Sequence, residues 1–150
     1  MHRREAITTF GAAAVGVGGL AFVANAQPAK EAMPMRKGGN AWQNCASACS
    51  ACVMACGEVS DHCTKLADSG KAGHAMMAAM ATACGECCAT MMSLSSRMSM
   101  MAPLMAEGCA KCCDNCAAEC DKMEGEMMKA CAKACRDCAV ACRELSKKAG

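Results

Sequence analysis

Residues 45–56 read CASACSACVMAC, and residues 131–142 read CAKACRDCAVAC. In both stretches the cysteines recur at alternating steps of four and three residues, and the residues between them are mostly small or charged. Side chains at this spacing lie on one face of an α-helix, because successive residues are rotated by about 100° around the helix axis. The spacing therefore predicts helices that each carry a stripe of thiols along one face.

Four groups of cysteines follow one another along the chain, and each fits one helix. Asn40 and Gln43 have the spacing of a capping box at the start of the first helix, and Gly70 follows its end. Pro103 suits the first turn of the third helix, and Gly125 marks the turn before the fourth. The groups are Cys45, Cys49, Cys52, Cys56 and Cys63; Cys84, Cys87 and Cys88; Cys109, Cys112, Cys113, Cys116 and Cys120; and Cys131, Cys135, Cys138 and Cys142.

Short connections between helices of this length place neighbouring helices antiparallel. We therefore predict an all-α fold over residues 40–150, an antiparallel up-down-up-down four-helix bundle with a cysteine-lined core. Large aliphatic and aromatic side chains are scarce in this region, so cysteine, methionine and alanine must fill the interior. Such a core buries little apolar area, and disulfides or thiolate-bound metal ions would have to compensate.

The alternation of three and four residues also selects the side chains that face the core. From each adjacent pair it selects the first cysteine, Cys87 and Cys112, and it extends the second helix to Met101. The predicted core positions are Cys45, Cys49, Cys52, Cys56, Val59, Cys63 and Leu66; Met77, Met80, Cys84, Cys87, Met91, Leu94, Met98 and Met101; Met105, Cys109, Cys112 and Cys116, with Cys113 and Cys120 widening the stripe; and Met128, Cys131, Cys135, Cys138, Cys142 and Leu145.

The amino terminus has the features of an export signal. Arg3 and Arg4 precede an uncharged, glycine-rich apolar run that ends in ANA at residues 24–26, a cleavage motif of the A-x-A type. The paired arginines resemble a twin-arginine leader, although Sec export or an uncleaved anchor would also fit. We expect residues 1–26 to be a cleaved signal peptide, residues 27–39 a flexible lead-in, and the mature protein to be exported and periplasmic.

Composition argues against several classes of function. Sixteen lysine and arginine residues against fourteen aspartate and glutamate residues give a formal charge of +2, with no basic block and no aromatic platform for nucleic acid. No second apolar run reaches the length of a membrane span, so we expect no membrane contact after signal cleavage. The three histidines, His2, His62 and His74, are too few for an oxidase-type copper site, and we do not expect an enzyme.

The thiol stripes suit metal binding better than disulfide bonding. Exported cysteines usually form disulfides, but here their number is odd. Thiols one turn apart in a helix also lack the Cβ geometry of a disulfide. Disulfides staple loops, whereas these cysteines line continuous helix faces. Bridges between facing helices remain open for a metal-free, oxidised protein.

Soft thiolate ligands select Cu(I), Zn(II) or iron–sulfur clusters. Zinc favours closed tetrahedral sites on turns, and iron–sulfur clusters need looped cysteine runs, so helical stripes suit neither. Cu(I) accepts two or three sulfurs, which a Cys-x-x-x-Cys pair and a facing helix can supply. One Cu(I) per thiolate would also leave the core neutral, whereas Zn(II) with four thiolates would leave two negative charges. We therefore predict several Cu(I) ions per chain.

Methionine and histidine gather at one end of the predicted bundle, where the first helix ends and the second begins. Thioether and imidazole groups there could receive Cu(I) before the thiolates do, although core packing is the ordinary role of methionine. The residues at this end are His62, His74, Met76, Met77, Met80, Met123, Met127 and Met128. The candidate ligands at an entrance are His62, His74, Met76, Met77 and Met80.

The spacing Cys113-x-x-Cys116-x-x-x-Cys120, followed by that of residues 131–142, resembles the bacterial copper storage proteins, and Arg3-Arg4 resembles their exported branch. His62 and the methionines after it resemble the family's open end, where copper enters. The resemblance implies Cu(I) storage in a homotetramer of bundles that supplies copper enzymes, such as the methane oxidation machinery, and limits copper toxicity. The chain departs from the family in its adjacent cysteine pairs and in Leu66, where a methionine would be expected.

Other functions remain open on the residues alone. A copper chaperone would bind about one ion per chain at an exposed cysteine pair. A protein that sequesters zinc or cadmium, or an exported structural disulfide protein, would share the cysteine content. Metal analysis and a free-thiol count would separate these functions.

Overall fold

Four α-helices make up most of the described part of the chain. The computed structural model describes residues 40–149; the predicted leader (1–26), the predicted lead-in (27–39) and Gly150 lie outside it. The helices are α1 (Ala41–Asp68), α2 (His74–Ser96), α3 (Met101–Cys120) and α4 (Glu126–Ser146). Each helix packs against the next one along the chain, and α4 packs against α1. The predicted all-α, up-down-up-down four-helix bundle is confirmed.

Both ends of α1 follow from the local sequence. The Oδ1 atom of Asn40 accepts a hydrogen bond from the Gln43 backbone N–H at 2.9 Å, as the capping residues predict. At the other end Gly70 adopts the left-handed conformation (φ 82°), and two backbone N–H groups reach back to the carbonyls of Ala67 and Leu66. This is a Schellman motif, in which glycine is the usual left-handed residue.

The end of α2 corrects the prediction that this helix continues to Met101. Met98 adopts the left-handed conformation (φ 49°), its N–H donates to the Ser95 carbonyl at 3.0 Å, and the next N–H donates to the Leu94 carbonyl at 3.0 Å. A Schellman motif therefore ends α2 as well, with methionine where glycine is usual. Met98 and Met101 are 62% and 52% exposed instead of buried, and Met105 on α3 is also exposed.

Cysteine and alanine fill the space between the helices. Fifteen of the seventeen cysteines are buried. Among the described residues, Val59 and Leu145 are the only fully buried valine and leucine side chains, while Leu66 is half-buried. All six predicted core positions of α4 are buried. The scarcity of large side chains in the sequence is thus a property of the core itself.

The second helix, α2, is also the most apolar of the four. The helix has 23 residues, and an 18-residue window within it has a mean hydropathy of 1.2, which would allow it to cross a membrane by length and composition alone; the prediction that no second run reaches that length is therefore wrong. The core helices of soluble proteins meet the same criterion. In this bundle α2 buries Cys84, Cys88 and Met91.

Candidate metal centre

The buried cysteines of all four helices come together inside the bundle, and all seventeen cysteines are free thiols. We call the fifteen buried cysteines the axial stack. The other two, Cys87 and Cys112, are half-buried, whereas Cys88 and Cys113 are fully buried, so the predicted choice within each adjacent pair is wrong. The axial stack consists of Cys45, Cys49, Cys52, Cys56, Cys63, Cys84, Cys88, Cys109, Cys113, Cys116, Cys120, Cys131, Cys135, Cys138 and Cys142.

On α1 and α4, four pairs of stack sulfurs lie one turn apart within the same helix. Side chains at positions i and i+4 of a helix stand in one row, which brings their sulfurs together. The Sγ–Sγ distances are 3.9 Å for Cys45–Cys49, 3.8 Å for Cys52–Cys56, and 4.0 Å for both Cys131–Cys135 and Cys138–Cys142. Each pair can offer both sulfurs to one soft metal ion.

The stripes of α1 and α4 also face each other. The Sγ–Sγ distances across this interface are 3.6 Å for Cys45–Cys142, 3.5 Å for Cys49–Cys138, 3.6 Å for Cys52–Cys135 and 3.8 Å for Cys56–Cys131. Each of these eight sulfurs therefore has one neighbour on its own helix and at least one on the facing helix. The result is a two-sided ladder of thiols along the bundle.

The stripes of α2 and α3 form the other side of the stack. Cys88 lies 3.5 Å from Cys113 and 3.9 Å from Cys109, and Cys84 lies 3.9 Å from Cys113. Cys88 is also 3.8 Å from Cys138 of α4, which joins the two sides. Beyond Cys88 the buried face of α2 continues through Met91 and Ser95, so the thiols of this helix end there.

Four groups of sulfurs lie close enough together to hold a metal ion. Within each group the four Sγ atoms all lie within 4.8 Å of one another, and all are buried. Each group draws on at least three helices, so it exists only in the folded bundle. The groups are Cys49, Cys109, Cys138 and Cys142; Cys52, Cys56, Cys84 and Cys135; Cys52, Cys88, Cys113 and Cys138; and Cys56, Cys116, Cys131 and Cys135.

Three cysteines outside these groups, Cys63, Cys87 and Cys112, lie in surroundings that disfavour the free thiolate. Burial raises the pKa of Cys63 above its ordinary value. Burial and the neighbouring Cys109 of α3 raise the pKa of Cys87 to about 12. Burial and the neighbouring Cys84 of α2 raise the pKa of Cys112 to about 11. These three thiols are therefore protonated at neutral pH, and a metal ion that binds them must displace protons.

A cavity of about 350 Å³ lies at the end of the bundle where methionine was predicted to gather. Met76, Met77, Met80 and Met123 line it, together with Ala72, Gly73, Glu119 and Lys122. Met77 and Met128 are buried, whereas Met76 and Met127 are exposed. His62 is exposed and His74 is half-buried, with its Nδ1 3.2 Å from the Ala72 carbonyl oxygen, and neither lines the cavity. The structure thus brings together three of the five candidate ligands at the entrance.

Comparison with known proteins agrees with this architecture. The apo form of Csp3, copper storage protein 3 of Bacillus subtilis, is 28% identical, with a TM-score of 0.62 over 69% of this chain and 97% of that one. The Cu(I)-bound copper storage protein BsCsp3 is also 28% identical, with a TM-score of 0.60 over 71% of this chain and 98% of that one. The Nmul_A1745 protein of Nitrosospira multiformis is 28% identical, with a TM-score of 0.64 over 72% of this chain and 96% of that one.

A search among curated proteins gives no match. A sequence model described as copper storage protein matches residues 38–147, which include all four helices and all seventeen cysteines. This chain therefore belongs to the copper storage protein family.

Proposed function

We propose that this protein stores Cu(I) at high capacity in the axial stack. The observation that carries the proposal is the run of buried thiols along the bundle: neighbouring sulfurs lie 3.5–4.0 Å apart within two sets, and sulfur groups within 4.8 Å of one another join the two sets at Cys52. Thiolate is the protein ligand that Cu(I) prefers. A bundle that held one ion at one site would not need fifteen buried thiols.

The spacing of the sulfurs suits an ion bound by two or three thiolates. With a metal–sulfur bond of about 2.3 Å, two sulfurs 3.5–4.0 Å apart subtend about 100–120° at a shared ion. This range includes both the trigonal and the tetrahedral angle, so the spacing fits Cu(I) and Zn(II) alike, and small side-chain rotations would open it toward a linear arrangement. Cu(I) is the soft ion that accepts such low coordination numbers.

Charge also favours Cu(I) over zinc or cadmium. A buried thiolate that no cation neutralises is costly. One Cu(I) per thiolate neutralises the stack completely, because each sulfur can bridge two ions while each ion binds two sulfurs. The four groups of sulfurs share members and contain twelve cysteines in all, so a divalent ion in each group would still leave four negative charges inside the bundle.

The relatives support the same metal and a storage role. BsCsp3, which shares the fold, has been solved in a Cu(I)-bound form. The family is a storage family rather than an enzyme family. We propose Cu(I) as the cargo of this chain as well, bound as several ions along the stack.

The cellular role is a further part of the proposal. Arg3, Arg4 and the apolar run after them support export into the periplasm, where the protein would supply copper to exported enzymes and limit copper toxicity. A homotetramer is the assembly that the family resemblance implies. The cavity lined by Met76, Met77, Met80 and Met123 supports an entrance for Cu(I) at that end.

An anaerobic titration tests the storage proposal. The reduced protein would be titrated with Cu(I) against a chromophoric Cu(I) chelator, with a free-thiol count on the same sample. We expect saturation at about one Cu(I) per cysteine, because that ratio neutralises the stack. Saturation at one or two ions would instead support a copper chaperone. Displacement of bound Cu(I) by equimolar Zn(II) or Cd(II) would support sequestration of those metals.

A further inference from the structure

The outer pair, which we define as Cys87 and Cys112, is not part of the axial stack. Both side chains are half-buried, whereas the other fifteen cysteines are buried. Each outer thiol directly precedes a fully buried cysteine, Cys88 or Cys113, so it is rotated by about 100° away from the direction of that stack position. The outer pair is thus a second, more accessible set of thiols.

The contacts of the stack show that the outer pair lies at one level of the bundle. Cys88 contacts both Cys109 and Cys113, so it is level with the middle of residues 109–113. Because α2 and α3 run antiparallel, the residue before Cys88 on α2 lies at the same height as the residue after position 111 on α3. Cys87 is therefore level with Cys112.

Each member of the outer pair also lies beside a stack sulfur of the opposite helix. Cys87 neighbours Cys109 of α3, and Cys112 neighbours Cys84 of α2. Both outer thiols therefore point into the groove between α2 and α3. Cys84 and Cys109 each connect onward to the stack, through Cys113 and Cys88. A chain of sulfurs thus runs from the surface of the groove to the axis.

We propose that Cys87 and Cys112 form a lateral exchange site at which Cu(I) passes between the stack and a low-molecular-weight thiol. This site rests on the proposed storage function. The copper stays Cu(I) throughout: the incoming thiol forms a new S–Cu bond as the bond to Cys87 or Cys112 breaks. The proton lost by the incoming thiol passes to the departing cysteine thiolate, so charge and atoms balance.

Accessibility explains why this exchange needs the outer pair. A thiol can displace a ligand only if its sulfur can approach the copper ion, and the stack sulfurs around Cys88 are fully buried. An ion held by Cys87 with Cys109, or by Cys112 with Cys84, can be reached from the groove without opening the bundle.

The test compares two double variants of the full-length protein with the wild type. Cys87→Ser with Cys112→Ser removes the outer pair, and Cys88→Ser with Cys113→Ser is the matched control, because it removes the adjacent buried thiols. Each Cu(I)-loaded protein would be mixed with glutathione and a chromophoric Cu(I) chelator in a stopped-flow instrument. Circular dichroism would check that each variant is helical.

The wild type should release about two Cu(I) per chain roughly tenfold faster than the rest, because only the ions bound by Cys87 and Cys112 are directly accessible. The outer-pair variant should lose this fast fraction and about two ions of capacity, because it lacks two thiolates. The control should lose capacity but keep the fast fraction. A fast fraction that survives in the outer-pair variant would overturn the exchange site while leaving storage intact. Saturation of the wild type at one or two ions would overturn storage itself.

A second measurement does not depend on the folding of any variant. Partly loaded wild-type protein would be treated briefly with iodoacetamide, with and without glutathione, and the labelled cysteines identified by mass spectrometry. Glutathione should increase labelling first at Cys87 and Cys112, because their copper leaves first. Equal labelling of Cys87, Cys112 and the stack cysteines would overturn the proposal.

Discussion

Replacing Cys138 by alanine should reduce copper capacity more than the same change at Cys63. Cys138 lies 3.5 Å from Cys49, 3.8 Å from Cys88 and 4.0 Å from Cys142. It belongs to two of the four sulfur groups that can hold a metal ion. Cys63 is equally buried, at 0% exposure, but belongs to none of these groups. The two positions therefore separate a role in metal binding from a role in packing.

The expected magnitudes follow from these contacts. Either substitution deletes one sulfur from a fully buried position, so each should destabilise the apoprotein by about 1 kcal/mol. Cys138→Ala should also lower capacity by about one Cu(I) per chain or more, because its thiolate is shared by two groups, whereas Cys63→Ala should lower it by less than that.

Chelator titration would measure the two capacities, and thermal unfolding of the metal-free proteins would check that the stability losses match. Equal capacity losses at Cys138 and Cys63, at matched stability, would refute the assignment of the sulfur groups as binding sites.

Three further predictions concern pH, helix ends and the entrance. Burial raises the pKa values of Cys63, Cys87 and Cys112; loading therefore releases protons, and competition titrations should show weaker apparent Cu(I) affinity on going from about pH 8 to about pH 6. A pH-independent affinity would contradict this. Met98→Gly should stabilise the apoprotein by about 1 kcal/mol, because methionine is strained in the left-handed conformation, and Gly70→Ala should destabilise it by a similar amount. Thermal unfolding would measure both effects. Shifts of the melting temperature in the same direction would refute the assignment of Schellman motifs at these two helix ends. Replacing the proposed entrance residues His62, His74, Met76, Met77 and Met80 together should slow Cu(I) uptake in stopped-flow experiments without changing final capacity, and an unchanged rate would indicate another path.

The sequence predicts the buried faces of α1 and α4 correctly because the cysteines of each helix fit only one face. The steps of four and three through residues 45–56 and 131–142 are made by cysteine alone, and every cysteine in these stretches is buried. The contacts between the two stripes could not be predicted, because they depend on the axial offset of α1 against α4. The structure fixes that offset by pairing Cys49 with Cys138.

The sequence predicts the wrong buried face for α2 because two sets of positions, each spaced at steps of four and three, fit this helix. The predicted buried face is made by large side chains and includes Met80, Cys87 and Leu94. The observed buried face is Met77, Ala81, Cys84, Cys88, Met91 and Ser95, with the same steps of four and three. The predicted buried face contains no alanine or serine, although both residues fit where helices approach closely. The end of α2 at Met98 could not be predicted either, because glycine usually occupies the left-handed position at the end of a helix.

The same explanation holds for α3. The predicted stripe through Met105 and Cys112 follows the large side chains and the first cysteine of the pair. The observed buried face includes Ala102, Ala106, Cys109, Cys113, Cys116 and Cys120, again at steps of four and three. In a bundle whose core is made of thiols, alanine is the better guide to the buried face than methionine.

When the protein is loaded, many Cu(I) ions should lie along the axial stack, each bound by cysteine sulfur. Anomalous X-ray diffraction at the copper absorption edge, from crystals of the anaerobically loaded protein, would locate the ions directly. We predict a row of copper peaks between α1 and α4 that continues past Cys88 toward α3, each peak about 2.3 Å from at least two Sγ atoms. Copper confined to the methionine cavity or the protein surface, with the stack sulfurs unbound, would contradict the account.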